Sequence, residues 1–537
     1  MKSNKTQSKI IRAATVMERS IKISSPQATP HSTLDVGCSM FNVSSLFRIS
    51  ILGFSIFLFL TSTAFAKNDA AFSETMKDSL VYLKISYYGY EQYQPWRNTN
   101  LTEGWGVGVV VAQNKIITPA YNIANAAEIQ AKRFGQNEFI AAKIKIISYE
   151  NNLALIELDA NSIKKPLVPV KFTGIYAKGA PVEFYWLSPT ENIYSGRGYL
   201  DRASVDSYAM AFSKVLNFVA ASASDRTHSG QLYCIGKKPI GIAGWSNENK
   251  EAGIIPAEVI NRFLNDSKDG DYNGTGAVGF SAAALLDSAL RKYLKMPADM
   301  QLGVYVADVF MLGTAADILK AGDVILSIDG CQLNPYGRFT HKQYDALYYD
   351  YLITSKTAGE KITFDIFRDG KKQTLQTTVK NFNVSDMLVP WYDLDAQPEY
   401  CIIGGCVLQK LTKTYMAARG ENWTSKAEPH IYNYLLNSAF KPTEDRKSIV
   451  VLSFILPGDI TLGYHGLSQL VVNKINGMKI SSMRDLPAAF ALNPQDKYDV
   501  IEFELDEPKI VLDRSKLPQA DATIAQTYGI DKPANIK

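Results

Sequence analysis

Residues Leu302–Gly330 read "LGVYVADVFMLGTAADILKAGDVILSIDG". The β-branched run GVYVADV has strand chemistry, GTAADILK forms a short helix, and Gly322-Asp323 is a turn into a second strand, VILSI. Asp323 and Asp329 sit in Gly-Asp and Asp-Gly turns, where short polar side chains serve backbone geometry rather than acid–base chemistry. Downstream, "ITFDIFRDGKKQTLQTTV" (Ile362–Val379) closes the unit as a hairpin turned at Asp369-Gly370. Upstream, the alanine-rich "SAAALLDSALRKYLKM" (Ser281–Met296) reads as a helix. A related order returns from Tyr400 in "CIIGGCVLQKL", "IVVLSFIL", "LVVNKINGMKISSMRDLPAAFAL" and "YDVIEFELDEPKIVLDR". There Ile475-Asn476-Gly477 repeats the pattern of Ile328-Asp329-Gly330, so the C-terminal half reads as two related α/β modules.

From Asp78 to Asp266 the texture differs. "SLVYLKISYYG", "WGVGVVVAQNKIITPA", "IAAKIKIISY", "NLALIEL", "APVEFYWLS" and "KPIGIAGW" are short strand-like runs separated by turns. Their spacing predicts an all-β barrel or sandwich. "IIPAEVINRFLND" closes this part as a helix started at Pro256, with Val259, Ile260 and Phe263 on one face. "NDSKDGDYNGTGAVG" (Asn265–Gly279) then reads as a linker or exposed loop.

A chain of 537 residues needs several cores, and 46% apolar with 20% charged residues describes a globular protein. A net charge of +4 without a dense Lys/Arg run gives no basis for nucleic-acid binding. Near the start, Arg48 precedes an apolar run, Ile49–Leu60, and then Ala64-Phe65-Ala66. This has the order of a cleavable signal peptide ending at Ala66, and it places the mature chain in the periplasm or outside the cell. Translation starts at Met1 or Met40; the polar residues before Met40 are foreign to such a signal. No second long apolar run follows, so no stable membrane span is expected after cleavage. Beyond Cys38, the thiols Cys234, Cys331, Cys401 and Cys406 are too sparse for a disulfide framework. The "CIIGGC" stretch reads as extended, which would hold Cys401 and Cys406 too far apart to bridge. His31, His228, His341, His430 and His465 form no Cys/His cluster, so neither a metal nor a cofactor is expected.

The strand, the G-T-A-A-D turn and "GDVILSIDG" together resemble the PDZ domain attached to HtrA/Deg proteases. "RKYLKM", "YLITSKTAGEKITFDIFRDGK", "YCIIGGCVL" and the tail "YDVIEFELDEPKIVLDRSKLPQADATIAQTYGI" are similar to the plant-type Deg subfamily and its bacterial relatives. The resemblance spans nearly the whole chain after the leader. It implies a mostly β protein with α/β modules: a chymotrypsin-like double β-barrel followed by two PDZ-like domains. The expected boundaries are a leader over 1–66, a trypsin-like protease domain over 72–266, a first PDZ domain with its linker over 267–385, and a divergent second PDZ domain with a C-terminal extension over 396–537.

The resemblance also assigns positions. Where the family has its catalytic His in "T-x-A-H-V-V", this chain reads "TPAYNI", with Tyr121 at the His position. The Asp of "D-L-A-L" corresponds to Asn152 in "ENNLALIEL". The Ser of "G-N-S-G-G-P" corresponds to Ser229 in "THSGQL", and Thr227 replaces the Gly that shapes the oxyanion hole together with Ser229. A serine hydroxyl needs a base within hydrogen-bond reach. A phenol holds its proton until about pH 10 and cannot serve as that base, and a neutral amide cannot stabilise an imidazolium. His228, adjacent to Ser229 on extended chain, points to the other face. The expectation is a degenerate protease whose Ser229 survives without a partner. The alternative is an active envelope serine endopeptidase in which Ser229 uses a non-standard base. The resemblance further implies that the first PDZ domain binds C-terminal or unfolded peptide segments by strand addition, with Tyr293, Leu294, Lys295 and Met296 as the carboxylate-binding loop. It also implies a homo-oligomer, a trimer or larger.

Overall fold

The computed structural model describes residue 72 and residues 74–537, apart from 98–100, 224–226 and 506–507. The expected leader and its cleavage site lie outside the described residues.

Two closed six-stranded barrels come first. In one, β1 (Leu80–Tyr88), β2 (Leu101–Ala112), β3 (Lys115–Thr118), β4 (Ala126–Arg133), β5 (Ile140–Ser148) and β6 (Leu153–Leu158) close in the order β1-β2-β3-β6-β5-β4. In the other, β7 (Pro181–Leu187), β8 (Ile193–Asp206), β9 (Val215–Ser222), β10 (Leu232–Ile235), β11 (Lys238–Ser246) and β12 (Glu251–Pro256) close in the order β10-β11-β12-β9-β8-β7. Along β1, Val81, Leu83 and Ile85 alternate inward and meet Val110, Ile116 and Ile129 in a core of its own. Each such side chain contributes about 1.5–3 kcal/mol by leaving water. Helix α1 (Ala257–Asp266) follows β12 directly and buries Val259, Ile260 and Phe263, the face its sequence pattern predicts.

The second barrel shares its apolar cluster with the first α/β module: Phe218, Ile254 and Ile260 belong to one cluster with Val306, Ile325 and Phe364. Polar bonds reinforce this joint, because Glu258 of α1 accepts the hydroxyls of Tyr344 (2.8 Å) and Tyr351 (2.9 Å). The module contains β13 (Phe280–Ala283), helix α2 (Ser288–Tyr293), β14 (Val304–Val309), β15 (Val324–Ile328), β16 (Cys331–Gln332), the hairpin β17 (Arg338–His341) and β18 (Asp345–Tyr348), helix α3 (Asp350–Thr354), β19 (Lys361–Arg368) and β20 (Lys371–Thr378). Its main sheet runs β13-β14-β15-β19-β20. The second module contains β21 (Tyr400–Ile403), β22 (Cys406–Lys410), β23 (Val450–Ile455), β24 (Leu470–Ile475), β25 (Met478–Lys479), β26 (Tyr498–Phe503), β27 (Ile510–Asp513), helix α4 (Leu517–Tyr528) and β28 (Ala534–Asn535). These strands order as β27-β26-β24-β23-β22-β21-β28.

The expected repeat is present in backbone and side-chain detail. Asp329-Gly330 and Asn476-Gly477 both adopt positive φ and turn β15 onto β16 and β24 onto β25. In each case the side-chain oxygen accepts a backbone N–H from the neighbouring strand, Thr363 to Asp329 and Val500 to Asn476, both at 2.8 Å.

Four local expectations need correction. Gly313–Lys320 is a turn rather than a helix, too short between its two strands to coil. Ser281–Met296 is not one helix: Phe280–Ala283 pairs with β14, and only Ser288–Tyr293 coils, because sheet pairing overrides alanine propensity. Asn265–Gly279 is not a free loop, since Thr275 and Ala277 are buried and the Tyr272 hydroxyl bonds Ser148 at 2.9 Å. "CIIGGC" is a hairpin turned on Gly404-Gly405, both at positive φ. Cys401 there faces Leu408 and Cys406 faces Ile403, so the thiols remain free for a reason of register.

One turn, Tyr149–Asn152 between β5 and β6, ties several parts together. The Tyr149 hydroxyl donates to Asp395 (2.6 Å) in the segment before the second module. Glu150 accepts the N–H groups of Phe212 (3.4 Å) and Ser213 (2.7 Å) in the second barrel. Asn151 donates to Tyr272 (3.0 Å) and Thr275 (2.6 Å) in the segment before the first module.

Candidate functional site

Ser229, Tyr121 and Asn152 come from separate parts of the chain, and the fold links them: Asn152 and Ser229 share the carbonyl oxygen of Gly244 on β11, and the Tyr121 backbone bonds Asn152. Tyr121 lies on the single 3-10 turn Ala120–Ile123 after β3, with its ring exposed at the cleft mouth. Asn152 is buried at φ +50°. Its carbonyl accepts the Ala120 N–H (3.1 Å), its Oδ1 accepts the Tyr121 N–H (3.0 Å), and its Nδ2 donates to the Gly244 carbonyl (3.0 Å). Ser229 Oγ donates to the same carbonyl at 3.4 Å, a long and weak bond.

This arrangement uses an amide as an amide. Asn152 accepts on one side and donates on the other, which a carboxylate cannot do. An aspartate here would keep the bond to Tyr121 and set a negative oxygen against the Gly244 carbonyl. The Ser-Gly pair also has a packing role. Gly230 sits at φ +91°, and a Cβ there would lie 2.5 Å from the Val107 carbonyl of β2. Its N–H donates to Ala243 (2.7 Å), pinning the turn to β11. Thr227, at the expected oxyanion position, is half-buried, and its carbonyl accepts Ser246 Oγ (3.2 Å).

The His228 ring is taken up by aromatic contacts. It packs edge-on against Trp105 of β2 (centroids 5.2 Å) and Trp186 of β7 (6.1 Å), while its backbone N–H donates to Gln231 (3.0 Å). Burial pushes the imidazole pKa down, favouring the neutral ring. Trp105 stacks on Tyr82 (6.3 Å) and Trp186 on Tyr194 (5.5 Å), so a row of aromatic rings crosses from one barrel to the other. Trp105 is 44% exposed and presents this row to solvent. Sequence reasoning missed Trp105 and Trp186. "EGWGVG" and "FYWLS" show a tryptophan on each strand, but nothing in one chain aligns β2 with β7.

The loop Tyr293–Met296 does not have the geometry expected of a carboxylate receptor. The N–H groups of Leu294, Lys295 and Met296 donate to Leu290 (2.9 Å), Lys292 (2.9 Å) and Arg291 (3.0 Å), so they are used in closing α2. Met296 is buried beside Leu285, Val324 and Phe367, while Tyr293 and Lys295 are exposed. The Arg291 guanidinium locks the loop by donating to Leu285 (2.7 Å) and Met300 (2.8 Å). Among the described residues β13 pairs only with β14, at the end of its sheet, and it enters from Gly279 at φ +84°. The Phe280 ring at its start stacks on Tyr349 (5.2 Å) ahead of α3. The signal was the glycine before an apolar residue in "GAVGFSAA", hidden by the alanines that follow it.

Among the described residues, no group of three or more His, Cys, Asp or Glu is placed to hold a metal ion. No described helix is long and apolar enough to cross a membrane. Burial raises the Cys401 thiol to about 11 and the Cys406 thiol to about 12, which keeps both protonated at neutral pH.

The family model described as a PDZ domain matches residues 389–535, over the second module. Protease Do-like 4, mitochondrial, of Arabidopsis thaliana is 26% identical over 397 residues, covering 73% of this chain and 73% of its own length. Protease Do-like 2, chloroplastic, of the same plant is 26% identical over 453 residues, covering 81% of this chain and 71% of its own length. Among solved structures, HtrA-type protease AlgW with decapeptide aligns at a TM-score of 0.44 and 17% identity, covering 57% of this chain and 96% of that chain.

Proposed function

We propose that this chain, which belongs to the HtrA/Deg family of Do-like serine proteases, is a catalytically silent member that captures extended or misfolded peptide segments as a chaperone, scaffold or regulator. The observation that carries this reading is the Asn152–Gly244 bond, in which an amide fills the charged position of the triad and is fitted there by both its donor and its acceptor. Tyr121 gives the cleft no base, and the His228 ring is spent on tryptophan contacts. Loss of triad function lowers turnover by orders of magnitude while leaving the binding surface intact. That surface combines the β13 strand at the end of its sheet, suited to strand addition, with the aromatic row across the cleft, suited to apolar side chains. The same proposal places the mature chain in the periplasm or outside the cell, after cleavage at Ala66, as a homo-oligomer of three or more copies.

Unfolded casein tests the silent cleft. The protein lacking residues 1–66 and its Ser229→Ala variant should leave casein equally intact. Cleavage that disappears in Ser229→Ala would establish the active endopeptidase and overturn the proposal. Capture is tested by fluorescence anisotropy with labelled casein fragments, where Trp105→Ala should weaken binding several-fold. Unchanged affinity would remove the cleft from the binding surface.

A further inference from the structure

The second module carries its own peptide on a sheet edge. β28 pairs antiparallel with β21, Tyr400 opposite Asn535 and Cys401 opposite Ala534. The Ile402 N–H donates to the Pro533 carbonyl (2.8 Å), and the Tyr400 hydroxyl to the Lys532 carbonyl (2.9 Å). Asn535 Nδ2 donates back to the carbonyls of Gln397 (3.1 Å) and Pro398 (2.9 Å). Lys532, Pro533 and Ala534 are exposed, so this stretch is held by its backbone and by the Asn535 carboxamide rather than by buried side chains. The firm apolar anchor, Ile530, lies just before it, and Ile536 packs only partly against the module core.

We propose that the outer edge of β21 is a peptide-binding site filled in cis by the segment Asp531–Lys537. Its ligands are extended peptides of the same chemistry: a proline carbonyl opposite Ile402, a small residue, then an asparagine. Antiparallel addition to a sheet edge is a general mode of peptide recognition, with affinity from main-chain hydrogen bonds. Each exposed bond contributes only about 0.5–1.5 kcal/mol net, and Pro533 has no N–H to add another. Such a segment stays seated because it is tethered: a short linker supplies an effective concentration on the order of 1 mM. An outside peptide therefore competes poorly until the segment is displaced or removed. The site is separate from the cleft and does not depend on whether Ser229 reacts.

The test uses a fluorescein-labelled peptide of residues 531–537, DKPANIK, and a chain ending at Ile530. The shortened chain should bind the peptide saturably and at least tenfold more tightly than the full chain does, and a peptide carrying Asn535→Ala should bind more weakly. A shortened chain with native circular dichroism that shows no binding up to about 1 mM peptide would overturn the proposal. Hydrogen exchange on the full chain decides the matter even if the shortened one does not fold. The Ile402 amide should exchange faster than the amides of β22 and β23. Equal protection would mean that the segment leaves only on global unfolding, and the proposal would fall.

Discussion

The side chain of Asn152 and the backbone of Gly244 join the two barrels through one hydrogen bond of 3.0 Å, and Ser229 leans on the same carbonyl. The cleft floor is thus a structural seam between the barrels. Asn152→Asp should lower stability by about 1–3 kcal/mol at neutral pH, the scale for leaving a buried acceptor unsatisfied. Urea denaturation should show this loss shrinking as pH falls below the carboxylate range and the new acid regains a proton to donate.

The residues of the Ser-Gly pair should behave oppositely. Ser229→Ala removes one long bond and should change stability by less than about 0.5 kcal/mol. Gly230→Ala forces a Cβ into the Val107 carbonyl at positive φ and should cost more than about 2 kcal/mol. Paired thermal melts check the contrast, and a larger loss for Ser229→Ala would refute this account of the turn.

Glu150 sets a pH dependence. Burial pushes its carboxyl up to about 7 from the usual 4.5, partly offset by the N–H groups of Ser213 and Phe212. The folded chain therefore holds this proton between about pH 4.5 and 7 while the unfolded chain has released it, so stability falls as pH rises through that window. Glu150→Gln keeps an acceptor for the Ser213 N–H, gives up the long bond from Phe212 and carries no charge. Its melting temperature should be flatter across that range and higher than the parent's at pH 8. An unchanged slope would place the titrating group elsewhere.

Asp323 does more than shape a turn. It accepts two bonds of 2.7 Å from Arg368 and one from the Lys320 N–H (2.7 Å), and it is 2% exposed. Asp323→Ala removes the charge partner of the guanidinium, leaving it its bond to the Ile318 carbonyl (2.9 Å), and should destabilise the chain by about 3–5 kcal/mol. Asp323→Asn, which still caps Lys320, should lose less. Chemical denaturation of both variants separates the ion pair from the turn.

The repeat, the hairpin at Asp369-Gly370 and the buried face of α1 were legible because each rests on local chemistry: positive-φ turn residues or a 3.6-residue apolar period. The partly exposed β8 was not, since its burial follows no clean alternation and its place is set by partners elsewhere in the chain. Tyr121, Asn152 and Ser229 could be marked from motif positions. The meeting of Asn152 and Ser229 on Gly244 could not, because it depends on how two barrels meet. The loop Tyr293–Met296 misled for a related reason: sequence shows which residues form a loop, not whether its N–H groups are already used by a helix end.

The turn Tyr149–Asn152 carries a longer-term consequence. Each of its residues is fastened to a different neighbour, so a substitution there is tested by the integrity of the whole assembly before it is tested by anything the cleft does. A change of the exposed Tyr121 ring or of the weakly bonded Ser229 hydroxyl disturbs few such contacts, whereas a change at Asn152 breaks a bond on each side of the seam. An acid placed at that position would face a main-chain carbonyl that no substitution at Gly244 removes, so its cost has to be met elsewhere in the fold.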